Sequence, residues 1–269
     1  MITIAVSNHK GGVGKTTTAV NVAAGLARRG FETLLIDLDP QGHATLGLGL
    51  EMDDMDEDIP TTATLFTEKR VNLADVLLET KEPHLKLIPT NIRLAKAAKM
   101  LSVRPVKELV LRRALEELAG FQYCIIDCQP SLEVLTQNAL VAADKILVPT
   151  QPGGFSLRGL SDLLETIEEI EEIKESMDRS STHEPADWRI LLTMVSGYAE
   201  DRNQTANKIL APLQDRILKT QIRRSEAIES SQMETEDAEL TPVILKKNWN
   251  RGAQDYRNLV KELLDLWPA

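Results

Sequence analysis

Two rhythms of apolar and polar residues alternate along the chain. Residues 2–7, 33–38, 85–89, 123–127, 145–149, 189–195 and 217–222 are apolar runs whose length and β-branched content predict strands, several of them buried on both faces. Between them, residues 15–29, 106–118, 203–214 and 253–266 predict helices. Residues 160–177 predict the clearest one. Its apolar side chains fall at Leu160, Leu163, Leu164, Ile167, Ile170, Ile173 and Met177, and glutamates fill the opposite, wet face. Gly30 and Gly120 follow the first two helical stretches as stop signals. Residues 51–58, dense in Asp and Glu, predict a solvated loop or a partner-contacting one, and residues 178–187 another loop. No repeat or linker interrupts the alternation, so residues 1–269 are expected to form a single domain. The fold class predicted is α/β, a doubly wound, mostly parallel sheet flanked by helices. Such sheets bind ligands beyond the carboxyl ends of their strands.

Composition narrows this picture. With 42% hydrophobic residues but only 4% aromatic ones, the core must be aliphatic. No apolar run is long enough to span a bilayer. The chain enters its first strand at once, with no charged-then-apolar leader, and a cytoplasmic protein is expected. Cys124 and Cys128 fall on one predicted buried strand, four residues apart and facing the same way, which fits reduced core thiols. The net charge of −10 argues against nucleic-acid binding by the chain as a whole but leaves room for a local basic face.

Candidate chemistry begins directly behind the first strand. Lys10-Gly11-Gly12-Val13-Gly14-Lys15-Thr16-Thr17 places small residues where backbone N–H groups can turn toward an anion, ahead of a helix whose positive dipole end faces the same point. Lys15 can reach the β- and γ-phosphates, Thr16 can ligate Mg²⁺, and Thr17 can donate to the α-phosphate. His9 stands where the usual loop has its first glycine, and Lys10 adds a second cation, either a solvated lysine or a group serving a nucleotide in a facing subunit. Asp127, ending the strand 123–127, is a candidate for the outer shell of the metal, the alternative being an ordinary capping acid. Asp37 and Asp39 share one side of a strand end. Asp39, further out, is the candidate for orienting the attacking water, and Asp37 for the metal's water shell. Alternatively both only support the turn before Pro40.

These strings resemble the ParA/MinD superfamily. Residues 10–17 are similar to its deviant Walker A box, Asp37-Leu38-Asp39-Pro40-Gln41-Gly42-His43-Ala44-Thr45 to its D-x-D-P-Q-G-N-A-T segment, and Ile125-Ile126-Asp127-Cys128-Gln129-Pro130-Ser131 to its I-I-D-C-P-P-S segment. Residues 147–151, 157–160 and 251–256 resemble its later motifs, so the likeness covers nearly the whole chain. His43 and Gln129 depart from it, and Thr220-Gln221-Ile222-Arg223-Arg224-Ser225-Glu226-Ala227 stands in place of its proline-containing adenine-contact segment. The resemblance implies an ATPase with ATP and Mg²⁺ as cofactors, Lys10, Lys15 and Asp39 in catalysis, Thr16, Asp37 and Asp127 around the metal, and an ATP-dependent homodimer with Lys10 reaching across the interface. It also implies that the N-terminal DNA-reading domain of the larger partition ATPases is absent. The paired cysteines of the iron–sulfur relatives are well separated, unlike Cys124 and Cys128.

What the ATPase would act on divides the family. The C-terminal residues 261–269 carry too few basic residues, interrupted by acids, for a membrane anchor, so no membrane partner is expected. Arg216, Lys219, Arg223, Arg224, Lys246, Lys247, Arg251 and Arg257 concentrate positive charge in the last quarter, with Arg223, Arg224, Lys246, Lys247 and Arg251 the candidates for contacting nonspecific DNA. The leading expectation is a nucleoid-associated ATPase that positions a plasmid, chromosome or protein compartment such as a carboxysome, with a small cargo-linked partner protein stimulating hydrolysis. A MinD-like membrane-associated regulator and a P-loop metabolic enzyme remain as alternatives.

Overall fold

Apolar runs become the strands of one seven-stranded sheet in the order β3-β4-β2-β5-β1-β6-β7. The computed structural model describes residues 1–50, 52, 59–68, 71–152, 157–177, 185–196, 211–231, 240–246 and 250–269. The strands are β1 (Ile2–Val6), β2 (Thr33–Leu38), β3 (Leu78–Glu79), β4 (Leu85–Ile88), β5 (Tyr123–Cys128), β6 (Lys145–Thr150) and β7 (Asp187–Leu192). All neighbours pair parallel except the short β3, which runs antiparallel to β4 at the edge. The mostly parallel α/β sheet expected from the sequence is therefore present.

Each face of the sheet has its own aliphatic layer, set by alternation along the strands. Ile4, Val6, Leu35 and Ile125 pack under α1 (Lys15–Ala27) and the C-terminal α9 (Arg251–Leu266). Ala5, Leu34, Ile36, Cys124, Ile126 and Cys128 pack on the other face, beneath α3 (Thr62–Thr67), α4 (Arg93–Leu101), α5 (Val110–Glu116), α6 (Val134–Ala142) and α7 (Leu157–Met177). Both cysteines are free and buried in that second layer. The short helices α2 (His43–Gly47) and α8 (Glu226–Ser230) complete the described elements. On the first face α1 and α9 pack closely: a Cβ added at Gly25 would meet Ile244 at 2.6 Å and Val260 at 2.7 Å.

Three departures from the sequence reading have local causes. Residues 217–222 form no strand: Ile217 makes an isolated bridge with Ile190, and the Leu218 and Ile222 N–H groups donate to the Ile190 and Leu192 carbonyls of β7 at 2.9 and 2.8 Å. The backbone N–H groups of Lys219 and Thr220 donate instead to the Glu262 carboxylate on α9, at 2.7 and 2.8 Å, which breaks the ladder. The helix expected at 106–118 starts late, because Val106 has φ 57° and leads into a 3₁₀ turn at Lys107–Leu109 before α5. Of the helix expected at 203–214, residues 203–210 lie outside the described residues, and Ala211–Arg216 is 3₁₀. Helices α2, α3, α4, α6 and α8 and the short strand β3 were not expected. In α6 almost every residue is buried, so it carries no amphipathic period to find. The loops expected at 51–58 and 178–187 fall largely outside the described residues.

Candidate nucleotide-binding site

After Val6 the chain turns through residues 7–14 into α1. Gly12 (φ 70°) and Gly14 (φ 85°) take left-handed conformations that a side chain would strain, and Gly14 caps the helix. The space over Gly11, Gly12 and Gly14 is open, with no atom within 4 Å of a Cβ built there. The loop is held from behind by residues that its own motif does not contain. Asn8 donates to the Pro149 carbonyl at 2.7 Å and accepts from the Lys10 N–H at 2.9 Å. Gln151 donates to the Gly12 carbonyl at 2.7 Å, and the Thr193 hydroxyl to that of Val13 at 2.8 Å. The carboxyl ends of β6 and β7 thus fix the loop that β1 presents. Only tertiary contact reveals these supports: Asn8 and Thr193 carry no sequence pattern, and the motif that holds Gln151 does not say what it contacts.

Val13 is buried beneath the loop. Lys15 is buried as well and donates to the Lys10 carbonyl at 3.0 Å. Burial lowers its pKa, offset in part by the charges of Asp127, Cys128 and Asp39. The Lys10 side chain is exposed, and Thr16 and Thr17 are half-buried at the start of α1.

Parallel pairing brings the acids together. Asp127 lies in register with Asp37 on β2 and with Val6 on β1. Both oxygens of Asp127 are buried, and among the described residues neither meets a donor in hydrogen-bond geometry, although the Thr16 hydroxyl lies close enough to act on its charge. Burial and then Asp37 hold its pKa well above the usual carboxylate range, offset in part by the Thr16 hydroxyl and the Lys15 charge. A buried carboxylate without donors is rare. Such a group fits the edge of a hydrated cation, whose waters would supply both the charge and the donors. Among the described residues no three His, Cys, Asp or Glu side chains are grouped to hold a metal alone. The residues fit Mg²⁺ only in company with phosphate oxygens and Thr16, as its octahedral chemistry requires.

Asp37 is different. It accepts from the Asp39 N–H at 3.1 Å and from the Thr45 N–H and hydroxyl, both at 2.8 Å. This is the supporting role that the sequence left open beside a place in the metal's water shell. Burial still pushes its pKa up to about 6, against the lowering effect of the Thr45 and Asp39 hydrogen bonds. Among the described residues Asp39 accepts only from the Gln41 N–H, at 3.0 Å, and it lines the cleft in front of the loop. That cleft encloses about 570 Å³ and is bounded by residues 11–17 except Val13, by Asp39, His43 and Pro130, and at its apolar end by Met194, Leu240 and Pro242. None of residues 220–227, which stand in place of the family's adenine-contact segment, lines it. A second cavity of about 420 Å³ lies at the opposite, amino-terminal edge of the strands. Its polar groups are already paired: Asp144 accepts from the Thr3 N–H, and Lys174 donates to Ala143 and Glu171.

A protein-family model described as an AAA domain matches residues 1–179. The chain is 36% identical to the sporulation initiation inhibitor protein Soj of Bacillus subtilis, over 97% of both sequences. The chain belongs to the ParA/MinD family of P-loop ATPases. It is also 35% identical to the chromosome partitioning protein ParA of Myxococcus xanthus, over 97% of this chain and 87% of that one. Among solved structures it resembles cobyrinic acid a,c-diamide synthase of Mycobacterium smegmatis with bound ATP analog and magnesium. That likeness has a TM-score of 0.78 and 31% identity, and covers 100% of this chain and 96% of that one. In this ParA/MinD chain the family's loop and Asp39 line one cleft, and the buried Asp37 and Asp127 lie in register at the same strand ends.

The candidate DNA contacts are scattered. Arg223 is fixed by Asp255 through its N–H and Nε, both at 3.0 Å, and through Nη2 at 2.6 Å. Arg224 meets Glu229 at 3.1 Å. Lys246 is half-buried, Arg251 is exposed at the start of α9, and Lys247 lies outside the described residues. Nearby, Arg216 pairs with Asp187 at 2.9 Å and covers the Trp188 ring.

Proposed function

We propose that this ParA-type ATPase positions or segregates a cargo, with residues 1–269 acting as one domain. Its cofactors are ATP and Mg²⁺. The N–H groups of residues 11–17 and the α1 dipole would cradle the phosphates, Lys15 would move from the Lys10 carbonyl to the β/γ bridge, and Thr16 would ligate the metal. Magnesium, when bound, neutralises charge building on the β- and γ-phosphates. Asp127 would accept hydrogen bonds from that ion's waters, Asp37 would hold the Asp39 turn in place through Thr45, and Asp39 would orient the attacking water. Lys10 would serve the nucleotide of a second copy in an ATP-sandwich homodimer. The observation that carries this reading is the donorless, buried Asp127 behind an open phosphate loop.

The ATP-bound dimer would hold nonspecific DNA on the nucleoid, through Arg251 and the basic residues 223, 224, 246 and 247, until a cargo-linked partner protein stimulates hydrolysis. A membrane alternative is weakened by α9, whose apolar side chains Leu259, Val260 and Leu263 are buried in the core. Among the described residues no helix is long and apolar enough to cross a membrane. The test is co-sedimentation of the ATP-loaded protein with random-sequence duplex DNA and, separately, with anionic vesicles. Retention on DNA, prolonged by Asp39→Ala and weakened by Arg251→Ala, is expected. Retention on vesicles alone would replace this reading with the MinD-like one. The likeness to a diamide synthase supports a second, metabolic reading, which steady ATP turnover driven by a small carboxylic acid without any protein partner would favour.

A further inference from the structure

The strongest basic stretch of this acidic chain lies outside both the nucleotide cleft and the last quarter. Between residues 93 and 113 a Lys or Arg stands at 93, 96, 99, 104, 107, 112 and 113, against one acid, Glu108. The stretch comprises α4, the turn after it, the 3₁₀ segment and the start of α5. Leu94, Ala97 and Leu101 bury one face of α4, which leaves Lys96, Lys99 and Met100 on the opposite face. Among the described residues Lys96, Lys99 and Arg113 are exposed and have no ion-pair partner. Arg104 donates to the Thr67 carbonyl at 3.0 Å, and Lys107 to that of Ser102 at 3.1 Å, so both side chains are oriented yet keep most of their charge.

Apolar side chains sit among these cations. Val103 is 84% exposed, Val106 53% and Met100 45%, three of the few large hydrophobic residues left in solvent among the described ones. Val106 is also held at φ 57°, a conformation costly for a β-branched residue, and this turns the chain sharply after the exposed Val103. Strain and exposed apolar surface within seven residues mark a recognition surface better than a loop selected for stability.

We propose that this face docks an acidic amphipathic helix of a partner protein, its apolar side chains on Met100, Val103 and Val106 and its carboxylates on Lys96, Lys99 and Arg104. Charge selects the sign of the partner: seven cations against one acid between residues 93 and 113 draw in an acidic segment. The apolar residues select its class. A DNA backbone offers no match for three exposed aliphatic side chains, and the turn lacks the aromatic and leucine residues that insert into a bilayer interface. None of these residues lines the nucleotide cleft, so the surface stands or falls apart from the assignment of the nucleotide site.

The probe is a synthetic helix with leucines on one side and glutamates on the other, its binding to the full chain followed by fluorescence anisotropy. A peptide of the same composition with its pattern scrambled, a random-sequence DNA duplex, and vesicles of phosphatidylcholine and phosphatidylglycerol in equal parts are run beside it. The patterned helix is expected to bind, and the scrambled one at least about tenfold more weakly. The double variants Lys96→Glu/Lys99→Glu and Met100→Ser/Val103→Ser should each weaken the patterned helix by about tenfold or more while ATP binding, read on the same samples, stays at the parental level. Failure of the patterned helix to bind, or binding unchanged in both variants, overturns the proposal. So does a loss in the lysine variant confined to DNA or vesicles.

Discussion

Two buried aspartates on the α1 face of the sheet have opposite surroundings. Asp255, on α9, accepts three hydrogen bonds from Arg223, which closes the basic segment 217–224 onto the body of the protein. Asp127, at the end of β5, meets no donor in hydrogen-bond geometry at either oxygen among the described residues. The satisfied acid is a fastening for that segment. The unsatisfied acid raises the energy of the ligand-free protein, a cost that ligand binding can relieve. The same residue type at similar burial therefore tells structure from function once its partners are counted.

The largest effect is expected from the unsatisfied acid. Asp127→Asn should cut Mg²⁺-dependent ATP turnover by about 10²-fold or more, measured by phosphate release. Its melting temperature without ligand should equal or exceed the parent's, because a buried charge without donors is removed. A lower melting temperature would place Asp127 with Asp255 as a structural acid. Asp255→Ala is the mirror experiment. It should cost about 1–3 kcal/mol of stability by denaturant unfolding, since it releases three donors. A turnover loss as large as that of Asp127→Asn at full stability would erase the contrast. Lys10→Ala tests a cation rather than an acid. The ATP-dependent rise in mass should be lost in light scattering while the monomer stays as stable as the parent. An unchanged dimer would return Lys10 to the status of a solvated loop lysine.

The smallest effect concerns pH. Asp37 has a pKa of about 6 in the fold against 3.8 unperturbed, so the folded state binds its proton more tightly. The stability this contributes is complete below about pH 4 and is lost as pH rises through about 6. Asp127, also raised, acts in the same direction. In the absence of metal and nucleotide the gap in melting temperature between the protein and a neutral Asp37→Asn variant, which loses an acceptor for the Asp39 or Thr45 N–H, should shift in the variant's favour as pH rises from about 4 to about 7. A gap independent of pH would show that Asp37 is not protonated in the fold.

Much of the site was legible because it is local. A strand, a glycine loop and a helix follow one another in the chain, and an acid at the end of each parallel strand must arrive at the same edge. The strands were legible because burial on both faces demands continuous apolar residues. Helix α6 was not, because its complete burial leaves no polar face to set a period. The failure at 217–222 was of another kind. Its side chains suit a strand, but Glu262, more than forty residues later, takes the backbone donors that a ladder needs.

By itself, then, the sequence determined the layered α/β architecture, the phosphate loop and the edge where its chemistry gathers, because short-range order and apolar periodicity encode them. Tertiary structure alone decided which acids are satisfied, that Gln151 and Thr193 brace the loop, that Arg223 is engaged by Asp255, and that Lys96, Lys99 and Val103 share an exposed face. Those outcomes depend on which donors, acceptors and core surfaces meet across the fold, and no pattern of neighbours along the chain specifies them.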